Sequence, residues 1–239
     1  MWQKICGLWP VNFNKKKWNI DATLEFYNSD GGISEACGNG TRCVADLLSK
    51  ENNKKLIVLT TLSGNLKSEI LEDKLVSTEI GIGRTEWDKI PLSKNLNTNN
   101  LNIKIQDINK KEYIGGIAVN VGNPHIIFFV ENYENFDIKN IGPEIEHHEF
   151  FPEKCNVTLA TVINNELIKV KVWERGAGLT KACGTAACAA AFAAKQNGLT
   201  GNKVDIEFST GKLSISIDQY NSIHMKGPVS DIKNIEIKI

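Results

Sequence analysis

Apolar and polar positions alternate in short runs along most of this chain. Ala22-Thr23-Leu24-Glu25-Phe26-Tyr27 has period two, which predicts a strand with one buried face. Similar runs at 56–61, 66–70 and 75–80 are separated by turn formers such as Ser63-Gly64-Asn65 and Glu72-Asp73, which predicts antiparallel hairpins. Further strands are expected at 101–105, 113–121, 156–162, 167–173, 204–208, 213–217, 223–226 and 235–239. The unbroken apolar stretch 126–130, just after Gly122-Asn123-Pro124-His125, predicts a fully buried strand. Two segments keep a different rhythm. Residues 41–48 set Val44, Leu47 and Leu48 on one helical face. The run from Thr185 is rich in alanine, small on every side, and stops at Asn197-Gly198, a helix-ending pair. A helix without a polar face is a buried helix. Residues 136–150, with Gly142-Pro143 inside, predict a loop and then a helix. The polar stretch 81–100 is the expected linker, and residues 1–20 show no period. The expected class is therefore mixed α/β (α+β), with two halves, each a set of strands around one helix. The division is 1–82 and 83–226, with a terminal strand, 227–239, returning to the first half.

Each helix is headed by the same unusual segment. The first is Ala36-Cys37-Gly38-Asn39-Gly40-Thr41-Arg42-Cys43; the second is Ala182-Cys183-Gly184-Thr185-Ala186-Ala187-Cys188. A cysteine beside small residues is ordinarily a small buried hydrophobe, and Cys6, Cys43, Cys155 and Cys188 are taken as such. The duplication argues otherwise for Cys37 and Cys183. A helix N-terminus carries unpaired N–H groups and a favourable dipole, which bind anions and lower the pKa of a thiol placed there. The glycine after each cysteine lets a ligand approach the main chain. Gly38-Asn39 and Gly184-Thr185 are thus suited to hold a carboxylate and to stabilise charge developing on it. Two such thiols, one for each face of a carbon, invert that carbon without a cofactor: one removes a proton while the other supplies one. Glu174-Arg175-Gly176-Ala177-Gly178 is a glycine-rich loop leading into Cys183, which places Glu174 and Arg175 at the same site. His147, His148 and His224 have no such context and are taken as structural.

The 28 basic residues balance the 28 acidic ones, which argues against a nucleic-acid or membrane partner. Arg42, Arg84 and Arg175 are the three arginines in a lysine-rich chain, and two of them lie in these segments. No leader peptide or span of about 20 apolar residues is evident, so a cytoplasmic location with reduced thiols is expected. None of the six cysteines is spaced as Cys-x-x-Cys, and no nucleotide-binding glycine motif occurs. No metal and no cofactor is expected.

The two cysteine motifs, Gly122-Asn123-Pro124-His125 and Glu174-Arg175-Gly176-Ala177-Gly178, taken together and in order, closely resemble those of the diaminopimelate epimerase family. The resemblance runs from about Ala22 to the C-terminus. Proline racemases share the two-cysteine logic but typically place histidine where this chain has Asn39. The resemblance implies two pseudo-symmetric domains, each a mostly antiparallel sheet wrapped around a central helix, with substrate in the cleft between them. It implies Cys37 and Cys183 as acid and base, with His125 and Glu174 assisting near the thiols. Asn28, Asn123, Asn156 and Arg175, with Glu174 beside them, match positions that bind the substrate's distal end, and Gly38, Asn39, Gly184 and Thr185 those that hold its reacting end. It implies a homodimer acting on diaminopimelate in lysine and peptidoglycan precursor synthesis. The family opens with His-Gly-x-Gly-Asn-Asp-Phe and a later glutamine; only a short patternless stretch precedes Asn28 here. A truncated or altered start is expected, and with it stands the alternative of an inactive or weakly binding relative. A thiol redox pair is a third possibility.

Overall fold

The computed structural model of the protein describes residues 5–9, 20–27, 33–34, 37–62 and 64–230. They divide into two compact units, one drawn from Met1–Thr78 and Lys226–Ile239, the other from Glu79–Met225. The first unit contains strands β1 (Ile5–Trp9), β2 (Ala22–Tyr27) and β3 (Ile33–Ser34), helix α1 (Gly38–Asn52), and strands β4 (Leu56–Thr61) and β5 (Gly64–Ile70). Strand β6 (Leu75–Ile82) begins in it.

Strand β2 buries Ala22, Leu24 and Phe26, as the alternation requires. It pairs antiparallel with β1 and β3 and parallel with β4. A parallel pair needs a crossover, and α1 supplies it. Val44 and Ala45 of α1 join Ile57, Leu59 and Val76 in one apolar core. The helix begins three residues earlier than its apolar periodicity announces, at Gly38, because Cys37 already accepts the Thr41 N–H at 2.8 Å. It ends on Asn53, which adopts left-handed backbone and donates to Ser49.

The second unit contains β7 (Ile103–Gln106), β8 (Glu112–Gly115), β9 (Ile117–Asn120), β10 (Pro124–Phe129), helix α2 (Ile138–Glu146), β11 (Asn156–Asn164), β12 (Leu167–Glu174), β13 (Gly178–Thr180), helix α3 (Gly184–Gln196), β14 (Lys203–Phe208) and β15 (Gly211–Ile217). Strand β16 (Ser222–Pro228) begins there. Strands run β16-β15-β14-β12-β11-β10-β9, with parallel neighbours at β10/β11 and β12/β14; β13 folds back on β12. Again the helix after a cysteine, α3, makes the crossover of a parallel pair, β12 to β14. Gly184 through Ala194 are all buried. Alanine adds little width to a helix, so side chains from several strands, among them Ile127, Val170, Val172, Ile206, Ile215 and Met225, close around it. Ile126 and Phe128 of β10 point into a separate core with Ile138, Ile141 and Ile145 of α2. Strand β10 is thus buried on both faces, as its apolar run predicts.

Several expectations need correction. The stretch 81–100 is no loose linker: Ile90 and Leu92 are buried in the second unit's core, and Arg84 bridges to Asn120 through the main chain. The single strand expected at 113–121 is two, divided at Gly116, whose φ of +102° disfavours any other residue. Residues 5–9 form a strand that the sequence did not announce. The strand expected at 235–239 lies outside the described residues. Among the described residues no helix is long and apolar enough to cross a membrane. The architecture is mixed α+β, predominantly antiparallel, with one helix at the heart of the second unit.

Candidate active site

Both motif cysteines occupy the residue immediately before a helix. Cys37 has φ −144° and ψ 91°, and Cys183 has φ −140° and ψ 119°. In neither case does the side chain cap its helix. The backbone of each bends into the helix through its own carbonyl: Thr41 N–H donates to Cys37 and Ala187 N–H to Cys183, at 2.8 and 3.1 Å. Each thiol is therefore free of a capping duty at the positive end of a helix dipole.

In the first unit, Cys37 is half-buried and Arg42 almost fully buried. The Arg42 guanidinium donates to Asn39 Oδ1 at 2.8 Å and to the Gly38 carbonyl at 3.4 Å. One planar fork thus braces the two residues expected to hold the reacting carboxylate. Asn28 lies outside the described residues.

In the second unit, Cys183 is buried and its Sγ lies 3.4 Å from Thr185 Oγ1. The helix N-terminus alone favours a low pKa, yet the thiol is pushed well up. Burial is the larger cause, and the adjacent Glu174 carboxylate adds to it, outweighing the opposite pull of the Thr185 hydroxyl and the Ala186 N–H. The expectation of a depressed thiol pKa fails for Cys183: the dipole is a partial charge at a terminus, whereas desolvation acts on the whole thiolate.

Asn156 ties the remaining motifs together. Buried at the start of β11, it donates through Nδ2 to the Pro124 carbonyl at 3.0 Å and accepts the Arg175 N–H at 3.0 Å. His125 is fully buried, and its Nε2 is 2.8 Å from Asn123 Oδ1. An amide oxygen only accepts, so Nε2 carries the proton and Nδ1 is left a bare acceptor. Nδ1 has no hydrogen-bond partner. Burial, with the Arg175 charge added to it, lowers the pKa of His125 to about 3, so the ring is neutral at physiological pH. The Arg175 guanidinium donates to the Glu153 carbonyl at 3.0 Å. The structure thus gathers Asn123, His125, Asn156, Glu174 and Arg175 around the turn that precedes Cys183. That turn, expected as a glycine-rich loop, is the tight connection between β12 and β13, closed by Ala177 N–H donating to Glu174. The sequence reasoning passed over Glu146, which accepts from Trp173 and from Gly176 in this turn. Its partners lie about thirty residues away, and no local pattern marks them.

Among the described residues no cluster of His, Cys, Asp and Glu suits a metal ion, and none of Cys37, Cys43, Cys155, Cys183 and Cys188 is in a disulfide.

The family model for diaminopimelate epimerase matches residues 8–85 and 117–232. A diaminopimelate epimerase of Pelagibacter ubique is 69% identical over 225 residues, which is 94% of this chain and 82% of that protein. One from Caulobacter vibrioides is 41% identical over 87% of this chain and 73% of its own. Among solved structures, a Bacillus anthracis phenazine biosynthesis protein of the PhzF family superposes with a TM-score of 0.69 at 12% identity, over 99% of this chain and 85% of that one. A hydroxyproline epimerase from Agrobacterium vitis gives 0.66 at 13%, over 94% and 71%. The two solved structures share the fold alone, but the sequence matches reach further: the chain belongs to the diaminopimelate epimerase family.

Proposed function

We propose that this chain is an isomerase that interconverts LL- and meso-2,6-diaminopimelate by two-base proton transfer between Cys37 and Cys183. The observation that carries this is the repeated geometry: two thiols, each one residue ahead of a glycine that opens a helix, neither used as a cap. In one direction the Cys37 thiolate removes the α-proton, and the Cys183 thiol donates its own to the opposite face. The C–H bond broken is replaced by a C–H bond formed, no electrons leave the substrate, and the enzyme ends with the two sulfurs' protonation exchanged. It is then set for the reverse direction. The carbanion's charge spreads onto the neighbouring carboxylate, which the N–H groups at Gly38-Asn39 and Gly184-Thr185 hold. Arg175 grips the distal carboxylate with its fork, assisted by Asn28, Asn123 and Asn156. Glu174 beside Cys183 opposes a resting thiolate there, and neutral His125 leaves that balance undisturbed.

This chemistry needs neither pyridoxal phosphate nor metal. The enzyme so proposed works in the cytoplasm with reduced thiols, as a homodimer, supplying lysine and peptidoglycan precursors. Purified protein in reductant, EDTA and hydroxylamine should convert LL-diaminopimelate to the meso isomer. A preparation that is folded yet leaves the substrate's configuration unchanged refutes the activity. Sedimentation under the same conditions reads the dimer directly.

A further inference from the structure

Glu146 stands in the last turn of α2, outside both cysteine motifs, and is only 4% exposed. Both of its oxygens are occupied. Oε2 accepts from the Trp173 indole at 2.7 Å, and Oε1 accepts the Gly176 N–H at 2.9 Å. Trp173 is the residue before Glu174, and Gly176 is the residue after Arg175. One buried carboxylate therefore fastens both ends of the two-residue segment Glu174-Arg175. The helix is shaped for this contact. Gly142 lies one turn earlier on the same face, and a Cβ there would overlap the Trp173 ring. A carboxylate withdrawn from water needs strong donors, and the two N–H groups on this turn supply them.

We propose that Glu146 is a positioning residue for the epimerisation. It acts on the substrate only through the turn it fastens, by fixing where Arg175 and Glu174 are presented. The proposal rests on the roles given to those two residues above.

The test exploits a difference between glutamate and glutamine. In Glu146→Gln the side chain keeps its size but has one acceptor oxygen for two donors; the indole, whose bond is the shorter, keeps that oxygen, and the Gly176 N–H faces the NH2 group. Trp173→Phe removes the indole donor and leaves the remaining oxygen to Gly176. Glu146→Gln should raise KM for diaminopimelate about tenfold, the loss of a hydrogen bond to a charged group, with a smaller fall in kcat. Glu146→Gln/Trp173→Phe should recover most of that loss, and Trp173→Phe alone should stay near wild type. Hydrogen exchange at the Gly176 amide, read by NMR, should be slow in wild type and Trp173→Phe, fast in Glu146→Gln, and slow again in the double variant. A Glu146→Gln enzyme with wild-type KM overturns the proposal. So does Gly176 exchange that is the same in all four proteins, or a melting temperature that falls in both Gln variants without recovery of KM. Wild type that never epimerises diaminopimelate refutes the functional reading instead. The Gly176 exchange pattern then decides the proposal alone, upholding the clamp if protection is lost and regained, and overturning it otherwise.

Discussion

Helices α1 and α3 start from the same local geometry and lie in different surroundings. Cys37 and Cys183 differ by only a few degrees in φ, and each precedes the crossover helix of a parallel strand pair. Yet α3 is enclosed from Gly184 to Ala194, while α1 buries one face and leaves Lys50 and Glu51 in solvent. The same thiol presentation therefore meets two dielectric environments. Cys183 is dry and beside a carboxylate, and is held as the thiol. Cys37 is half-exposed, and Arg42 braces the Gly38 and Asn39 that follow it. A repeated motif fixes where two sulfurs sit relative to their helices; packing around α3 keeps the proton on Cys183 at rest.

The comparison is broken most severely by removing one sulfur. Cys37→Ala and Cys183→Ala should each lower kcat on the order of 10³-fold, the scale of a lost general acid or base. Steady-state epimerisation with purified variants measures it. Near-wild-type turnover in either would show that the two helices do not share one reaction.

The next effect is a pH dependence that belongs to the second unit. The folded-state pKa of His125 lies at about 3, below its ordinary 6.5. Its neutral form is the one the fold accepts, so its contribution to stability is complete above pH 6.5 and is lost as pH falls toward 3. Within that window the loss is about 1.4 kcal/mol per pH unit. Urea unfolding at a series of pH values should show this acid limb, and His125→Phe should flatten it. Cys183 acts with the opposite sense. Its raised pKa gives stability that is complete below the ordinary thiol value of 9.0 and declines as pH rises beyond it. Burial raises the Cys155 thiol as well, so Cys183→Ala should reduce the slope of the alkaline limb and leave the part that belongs to Cys155.

Smaller effects sharpen the contrast between the helices. Ala190→Leu on α3 forces extra volume into an enclosed site and should cost about 1–3 kcal/mol in urea unfolding. Lys50→Ala on the exposed face of α1 loses only the ion pair to Asp46, and should change stability by about 0.3–0.5 kcal/mol. Equal costs would mean that the two helices are packed alike.

How much of this was legible beforehand followed from the range of the interactions. Strand β4 coincides with its predicted bounds because alternation is written in adjacent residues. The burial of α3 was legible because alanine on every face admits no solvent side. The break at Gly116 was hidden, since a glycine between strand-forming residues fits a continuous run equally well. The packing of Ile90 and Leu92 was hidden because two apolar residues in a polar segment define no period. At the site, the cysteines, Glu174 and Arg175 were singled out from local motifs, and Asn123, His125 and Asn156 from the family resemblance. Glu146 was not, because the donors it serves come from another element. The raised pKa of Cys183 was also beyond reach, as desolvation depends on strands distant in sequence.

The central claim is that each sulfur serves one face of the α-carbon. Conversion of LL-diaminopimelate in D2O, sampled at low conversion by mass spectrometry and NMR, tests it most directly. The account predicts meso product carrying deuterium at the inverted carbon, delivered by the exchanged thiol, while unreacted substrate still carries protium. Product that retains its original proton, or substrate and product labelled at equal rates, would mean a single base serving both faces, and would contradict it.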